Sequence, residues 1–312
     1  MADMVRLAGI DVSKEKLDVH VTPSGESRTV AYDRQGLAGL QRWLVGLGVA
    51  LVAVEASGGY EREVSDVLEE AGLIVHRLNP LRVRRFAQLK GRLAKTDRLD
   101  ARTIAEFARA YPQERQLGRD PRRERLAEHL LVRRHTQEAI VDCINQLEHL
   151  RDGQLRRLVS ARKASMERAL ATLDRQLARL VAEHDDLAEL AERLCTMPAV
   201  GPVLATTLIA LLPELGALTR RQIASLVGVA PFDRSSGRQI ASKSCQAGRG
   251  DVRKVLYMAA MVACRHNPAI KTFAGRLAGK PGKVRLVACM RKLIVTLNAM
   301  VRDGTQWQPR TA

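Results

Sequence analysis

Three short runs near the start of the chain, MVRLAGID, KLDVHVT and RTVAYD, are separated only by the turn residues Ser13 and Lys14 and then by Pro23 to Glu26. Strands joined by so little chain must lie beside one another, so the spacing predicts a meander. Residues 34–47, RQGLAGLQRWLVGL, change the period: Leu37, Leu40, Trp43, Leu44 and Leu47 recur at helical spacing. A buried-strand run ALVAVEA, a helix from about Tyr60 to Ala71, a strand LIVHRL and a helix opening at Pro80 follow. Three strands and then alternating helix and strand imply an α/β domain on a mixed sheet, assigned to residues 1–112.

Residues 113–195 carry no strand pattern. Leu170, Leu173, Leu177, Leu180, His184, Leu187, Ala191 and Leu194 hold a four-three spacing, the seam of a coiled coil. Leu126, Leu130, Ile140, Ile144 and Leu147 carry the register more weakly, and Asp152 with Gly153 breaks the two stretches apart. A helical hairpin or a dimerising helix pair is expected here. Residues 196–312 are helical and basic. They open with MPAVGPVLATTLIALL, whose run from Pro198 to Leu208 looks like a helix-hairpin-helix turn, its glycine-bearing hairpin and following helix N-terminus offering backbone N–H groups to a phosphate. A Gly-, Ser- and Arg-rich loop then runs from Pro231 to Gly250.

Charge narrows the partners. A net charge of +17 and a pI near 10.3 draw a protein to polyanions, nucleic acid above all. A membrane surface would attract it too, but no apolar run nears the roughly 20 residues of a spanning helix and MADMVRLAGID lacks a signal-peptide pattern. A cytoplasmic, nucleoid-associated protein is expected. The five cysteines are scattered without ligand spacing and read as reduced packing residues. With an aromatic content of 3%, base stacking cannot dominate and backbone contacts must. The expected contacts are Arg82, Arg84, Arg85, Lys90, Arg92 and Lys95 in the first domain, and Gly201, Arg234, Arg238, Lys243, Arg249 and Arg253 in the last.

Within that basic surface KTDRLDAR sets Asp97 and Asp100 three apart, on one face of a helix. They could be a solvated face neutralised by Lys95, Arg98 and Arg102. However, the first strand ends at Asp11 and the buried strand 50–54 runs into Glu55. A carboxylate at a buried strand end is costly unless paired or bound to a cation. Asp11 can also cap a turn at Ser13, and Glu55 can open a helix. Taken jointly, Asp11, Glu55, Asp97 and Asp100 are candidate oxygen ligands for one or two Mg²⁺ ions.

GIDVSK, VEASGGYE and KTDRLDA, with MPAVGPVLA, GVAPFDRSSG and the AGRGDVRKVLYMAAM helix, resemble the DEDD transposases of bacterial insertion sequences over nearly the whole chain. The resemblance implies a RuvC-like, ribonuclease H-type domain, which the strand order matches, a coiled-coil connector and a helical transposase domain. It places the Mg²⁺ tetrad on Asp11, Glu55, Asp97 and Asp100, and a nucleophilic serine on Ser236, next to Gly237, with Ser235 adjacent. Without the resemblance Ser236 reads as a turn serine in a polar loop. The implied activity is DNA cleavage and rejoining through phosphoserine. The implied partners are donor and target DNA, a guide (bridge) RNA and further copies of the chain, as dimers assembling to tetramers. The alternatives are a Mg²⁺-dependent nuclease or junction resolvase using the tetrad alone, and a non-enzymatic nucleic-acid binder.

Overall fold

The computed structural model describes residues 5–56, 59–91, 97–112, 120–231, 245 and 248–308. The chain forms two compact units, Met1–Gln116 and Leu117–Ala312.

The first unit is built on β1 (Leu7–Val12), β2 (Lys16–Thr22), β3 (Ser27–Ala31), β4 (Leu51–Glu55) and β5 (Ile74–Leu78), in the order β3-β2-β1-β4-β5. The meander β1-β2-β3 is antiparallel, and β1-β4 and β4-β5 are parallel, so the sheet is mixed. Side chains alternate across a strand, and the two faces are covered by different helices. Ala8, Ile10 and Val12 join Leu17, Val19 and Val21 beneath α1 (Arg34–Gly46) and α2 (Glu61–Glu70), through Leu37, Leu40, Leu44, Val64 and Leu68. Leu7, Ala53 and Leu78 face the other way, against Val83 of α3 (Pro80–Leu89) and Ile104, Ala105, Phe107 and Ala108 of α4 (Asp97–Ala110).

Gly9 shows how closely α4 lies on β1. A Cβ there would come 2.3 Å from the Ala101 carbonyl oxygen and 2.4 Å from the Ala105 nitrogen, so only glycine lets the helix backbone rest on the strand. Arg109, near the end of α4, donates to Thr22 Oγ1 at 3.4 Å, and Thr22 pairs with Leu7 at the start of β1. The helix therefore runs against β1, and its first turn lies at the Asp11 end of the strand.

The second unit is helical. Helices α5 (Pro121–His149) and α6 (Gly153–Ala182) form an antiparallel hairpin, its tip shaped by Asp152, whose side chain accepts from the Gln154 and Leu155 N–H groups at 2.8 and 2.9 Å. Arg133 bridges to Asp174 at 2.6 Å and Arg162 to Gln146 at 2.7 Å across the pair. The expected seam is not one helix, because α6 stops at Ala182 and α7 (Asp185–Cys195) begins after His184, an extended residue at φ −136° and ψ 112°. Asp185 and Asp186 occupy the first turn of α7, where the helix dipole favours acids. Leu187 and Leu194 thus enter a globular core with Leu177 and Leu180. That core is completed by α8 (Pro202–Leu211), α9 (Arg220–Val227), α10 (Gly250–His266), α11 (Pro268–Gly275) and α12 (Gly282–Asp303). All five cysteines are free thiols. Among the described residues no helix is long and apolar enough to cross a membrane.

Candidate functional site

Parallel pairing sets the site. Ile10 lies opposite Val54, so the next residues are Asp11, one short of the end of β1 at Val12, and Glu55, the last residue of β4, on two neighbouring strands that point the same way. Asp11 shares the parity of Leu7 and Gly9, and Glu55 that of Ala53, so both belong to the face covered by α4. The antiparallel course of α4 brings its first turn, with Asp100, to this same end. Three of the four expected carboxylates therefore gather at one end of one face, each only partly exposed.

The fourth, Asp97, opens α4, but its side chain lies outside the described residues, as do Ser235, Ser236, Arg92, Lys95, Arg234, Arg238 and Lys243. Among the described residues no three His, Cys, Asp or Glu side chains stand close enough to hold a metal ion. The donor chemistry nonetheless suits Mg²⁺, since each of the three groups offers carboxylate oxygens, the ligand this hard cation prefers.

A fifth acid, absent from the sequence expectations, lies beside them. Asp18 pairs directly with Asp11 on one side and with Thr29 on the other, and it is only 5% exposed. Thr29 Oγ1 donates to it at 2.5 Å, Lys16 Nζ stands 3.2 Å away, and Ala101 of α4 helps enclose it. The next row of this face pairs His20 Nδ1 with Ser27 Oγ at 2.8 Å. Burial, and then the positive charge of Arg102, hold His20 below its usual pKa, against a smaller opposing effect of Glu106.

The expected polyanion contacts divide. Arg84 and Arg85 are exposed on α3. Arg82 stacks over Phe107 and Tyr111, at 5.6 and 5.9 Å from the ring centroids. Lys90 bonds Glu106 at 2.5 Å and lies over Phe86. Gly201 is the exposed N-cap of α8, but the left-handed residue of its hairpin is Ala199, at φ 78°. Arg253 reaches the Val227 carbonyl at 3.4 Å. Arg249 departs furthest from expectation: its two terminal nitrogens hold both oxygens of Glu214, and one also donates to the Leu211 carbonyl at 2.7 Å. That guanidinium ties the start of α10 to the end of α8, where the sequence suggested a phosphate contact.

The sequence is similar to those of known proteins. A family model described as a transposase, that of the DEDD transposases of IS110, matches residues 8–159, and one described as the transposase IS116/IS110/IS902 family matches residues 191–274. The chain is 25% identical over 324 aligned positions to the pilin gene-inverting proteins of Moraxella bovis and Moraxella lacunata, covering 97% of each chain. It is also 29% identical over 153 positions to an uncharacterized 43.6 kDa protein of insertion element IS110 from Streptomyces coelicolor, over 47% of this chain and 38% of that one. Matched over residues 8–159 and 191–274 by the family's two models, and along 97% of its length by the pilin gene-inverting proteins, the chain belongs to the IS110-family DEDD transposases, a family of DNA recombination enzymes.

Proposed function

We propose that this protein cuts DNA and rejoins it to a second DNA site through a covalent phosphoserine, with Ser236 as nucleophile and Asp11, Glu55, Asp97 and Asp100 as ligands of Mg²⁺. The observation that carries the reading is the course of α4 against β1, which puts Asp100 at the same end and face as Asp11 and Glu55. When bound, Mg²⁺ would supply Lewis-acid stabilisation of charge on the phosphoryl oxygens. The strand order β3-β2-β1-β4-β5 supports a ribonuclease H-type, RuvC-like domain.

In the proposed step the Ser236 oxygen bonds to phosphorus, a phosphorus–oxygen bond to deoxyribose breaks, and the proton lost by serine ends on the departing hydroxyl. The reverse step joins a new strand end. Conserving the phosphoester in this way suits rearrangement better than hydrolysis, and the full-length likeness to gene-inverting proteins favours rearrangement over a plain nuclease. A guide RNA selects the sites in this reading, and chains associate through the α5–α6 hairpin, whose Val141, Ile144, Leu155 and Leu158 are exposed apolar residues.

Incubation with Mg²⁺, cognate DNA and the element's transcript, followed by a denaturing gel, tests the mechanism. Wild type should leave protein attached to a DNA end, Ser236→Ala should leave none, and Ser235→Ala should retain the adduct. Asp11→Asn, Glu55→Gln and Asp100→Asn should each abolish cleavage while still shifting DNA in a native gel. Cut DNA with no adduct from wild type would replace this reading with a tetrad nuclease.

A further inference from the structure

Asp18 faces Asp11 directly across the antiparallel ladder. Side chains so paired lie on one face with Cβ atoms roughly 5 Å apart, and like charges there repel. Burial adds to the difficulty, because an ionised carboxylate at 5% exposure is costly without compensating partners. Its partners divide its two oxygens. Thr29 on β3 donates to Oδ1 and draws that oxygen away from β1, while the Lys16 ammonium stands by Oδ2. Lys16 is itself 44% exposed, so water screens its compensation. The row Thr29, Asp18, Asp11 thus continues to the strand end carrying Glu55, with α4 above it.

We infer that Asp18 is a positioning residue for the cation site. Anchored toward β3 by Thr29, its negative charge keeps the Asp11 carboxylate turned from β2 toward β4 and Glu55, and deepens the negative potential that a divalent cation meets. With one oxygen held by Thr29 and the other beside Lys16, the role assigned to Asp18 is to act through Asp11. This role rests on the Mg²⁺ reading proposed above.

Charge and architecture are separable here. Asp18→Asn keeps the shape and an acceptor for Thr29 but removes the charge. Lys16→Met keeps the Asp18 charge and removes its neutraliser at an exposed position. If Asp18 served only the fold, a folded Asp18→Asn would leave the site alone; acting through charge, Asp18→Asn weakens it and Lys16→Met strengthens it.

The test is calorimetric titration of Mn²⁺ into the full chain without nucleic acid, paired with the Mn²⁺-induced rise in melting temperature, after circular dichroism has established folding. Asp18→Asn should bind about tenfold more weakly, as loss of an outer-shell partner does. Lys16→Met should bind about threefold more tightly, the scale of an exposed ammonium. Unchanged affinity in a folded Asp18→Asn, or unchanged or weaker affinity in Lys16→Met, overturns the inference. Should Asp18→Asn not fold, unchanged or weaker affinity in Lys16→Met still overturns the inference. Asp11→Asn should lose the binding. Undiminished Mn²⁺ binding by Asp11→Asn would sink the cation reading itself, and a wild-type chain that binds no Mn²⁺ would sink both.

Discussion

At the scale of single residues, Arg249 separates a structural role from a binding one. It follows Gly248 in a basic, glycine-rich stretch, a setting that suggests a phosphate contact, yet its partner Glu214 lies 35 residues earlier and no local pattern announces it. The pair is partly buried and doubly bonded, and such charged hydrogen bonds contribute about 1.5–3 kcal/mol. Arg249→Ala should therefore lower the urea-unfolding free energy by about 2 kcal/mol, while Arg84→Ala on the exposed face of α3 should leave it within about 0.5 kcal/mol. The DNA-binding loss should follow the reverse order. Normal stability together with weak DNA binding in Arg249→Ala would restore it to the phosphate contacts.

At the scale of elements, what the sequence made legible follows from which periods survive packing. Asp11 and Glu55 could be read because each terminates an apolar strand run, and burial of a strand end makes an acid conspicuous. Asp18 could not, since KLDVHVT reads as one apolar and one solvated face until α4 is known to cover the second. The leucine series misled for a related reason: a four-three spacing persists across a helix break when both helices turn the same stripe to a common core, and nothing in EHDD marks His184 as extended. The break changes what a leucine substitution tests. Leu177 is buried in its own chain's core, so Leu177→Ala should cost about 3 kcal/mol in denaturant unfolding. Leu158, at the hairpin tip, is 67% exposed. Leu158→Glu should leave the unfolding midpoint unchanged and lower the mass seen by light scattering. An unchanged mass would move self-association away from the tip.

At the scale of the whole molecule, charge and composition decide how a site can be chosen. Between Arg77 and Arg102 nine Arg and Lys stand against two Asp, and the whole chain carries +17. So basic a chain binds phosphates of any sequence and releases counterions in doing so, so DNA affinity should fall linearly with salt on logarithmic axes. Choosing a sequence needs more, either side chains reaching base edges in the major groove or a paired nucleic-acid strand. Among the described basic groups, Lys90 and Arg249 are held by carboxylates and Arg82 lies over aromatic rings, while Arg84 and Arg85 are exposed. In the proposed reading a strand of RNA makes that choice, and the protein contributes contacts to shape and phosphate. The purified chain stripped of RNA should therefore bind cognate and scrambled DNA alike in a salt titration, and should not recombine a donor and target pair. Adding the element's own transcript should restore recombination, and a transcript mutated in its pairing segment should redirect it. Site-specific recombination by the RNA-free chain would return target choice to side chains of the protein, the helix α10 first among them.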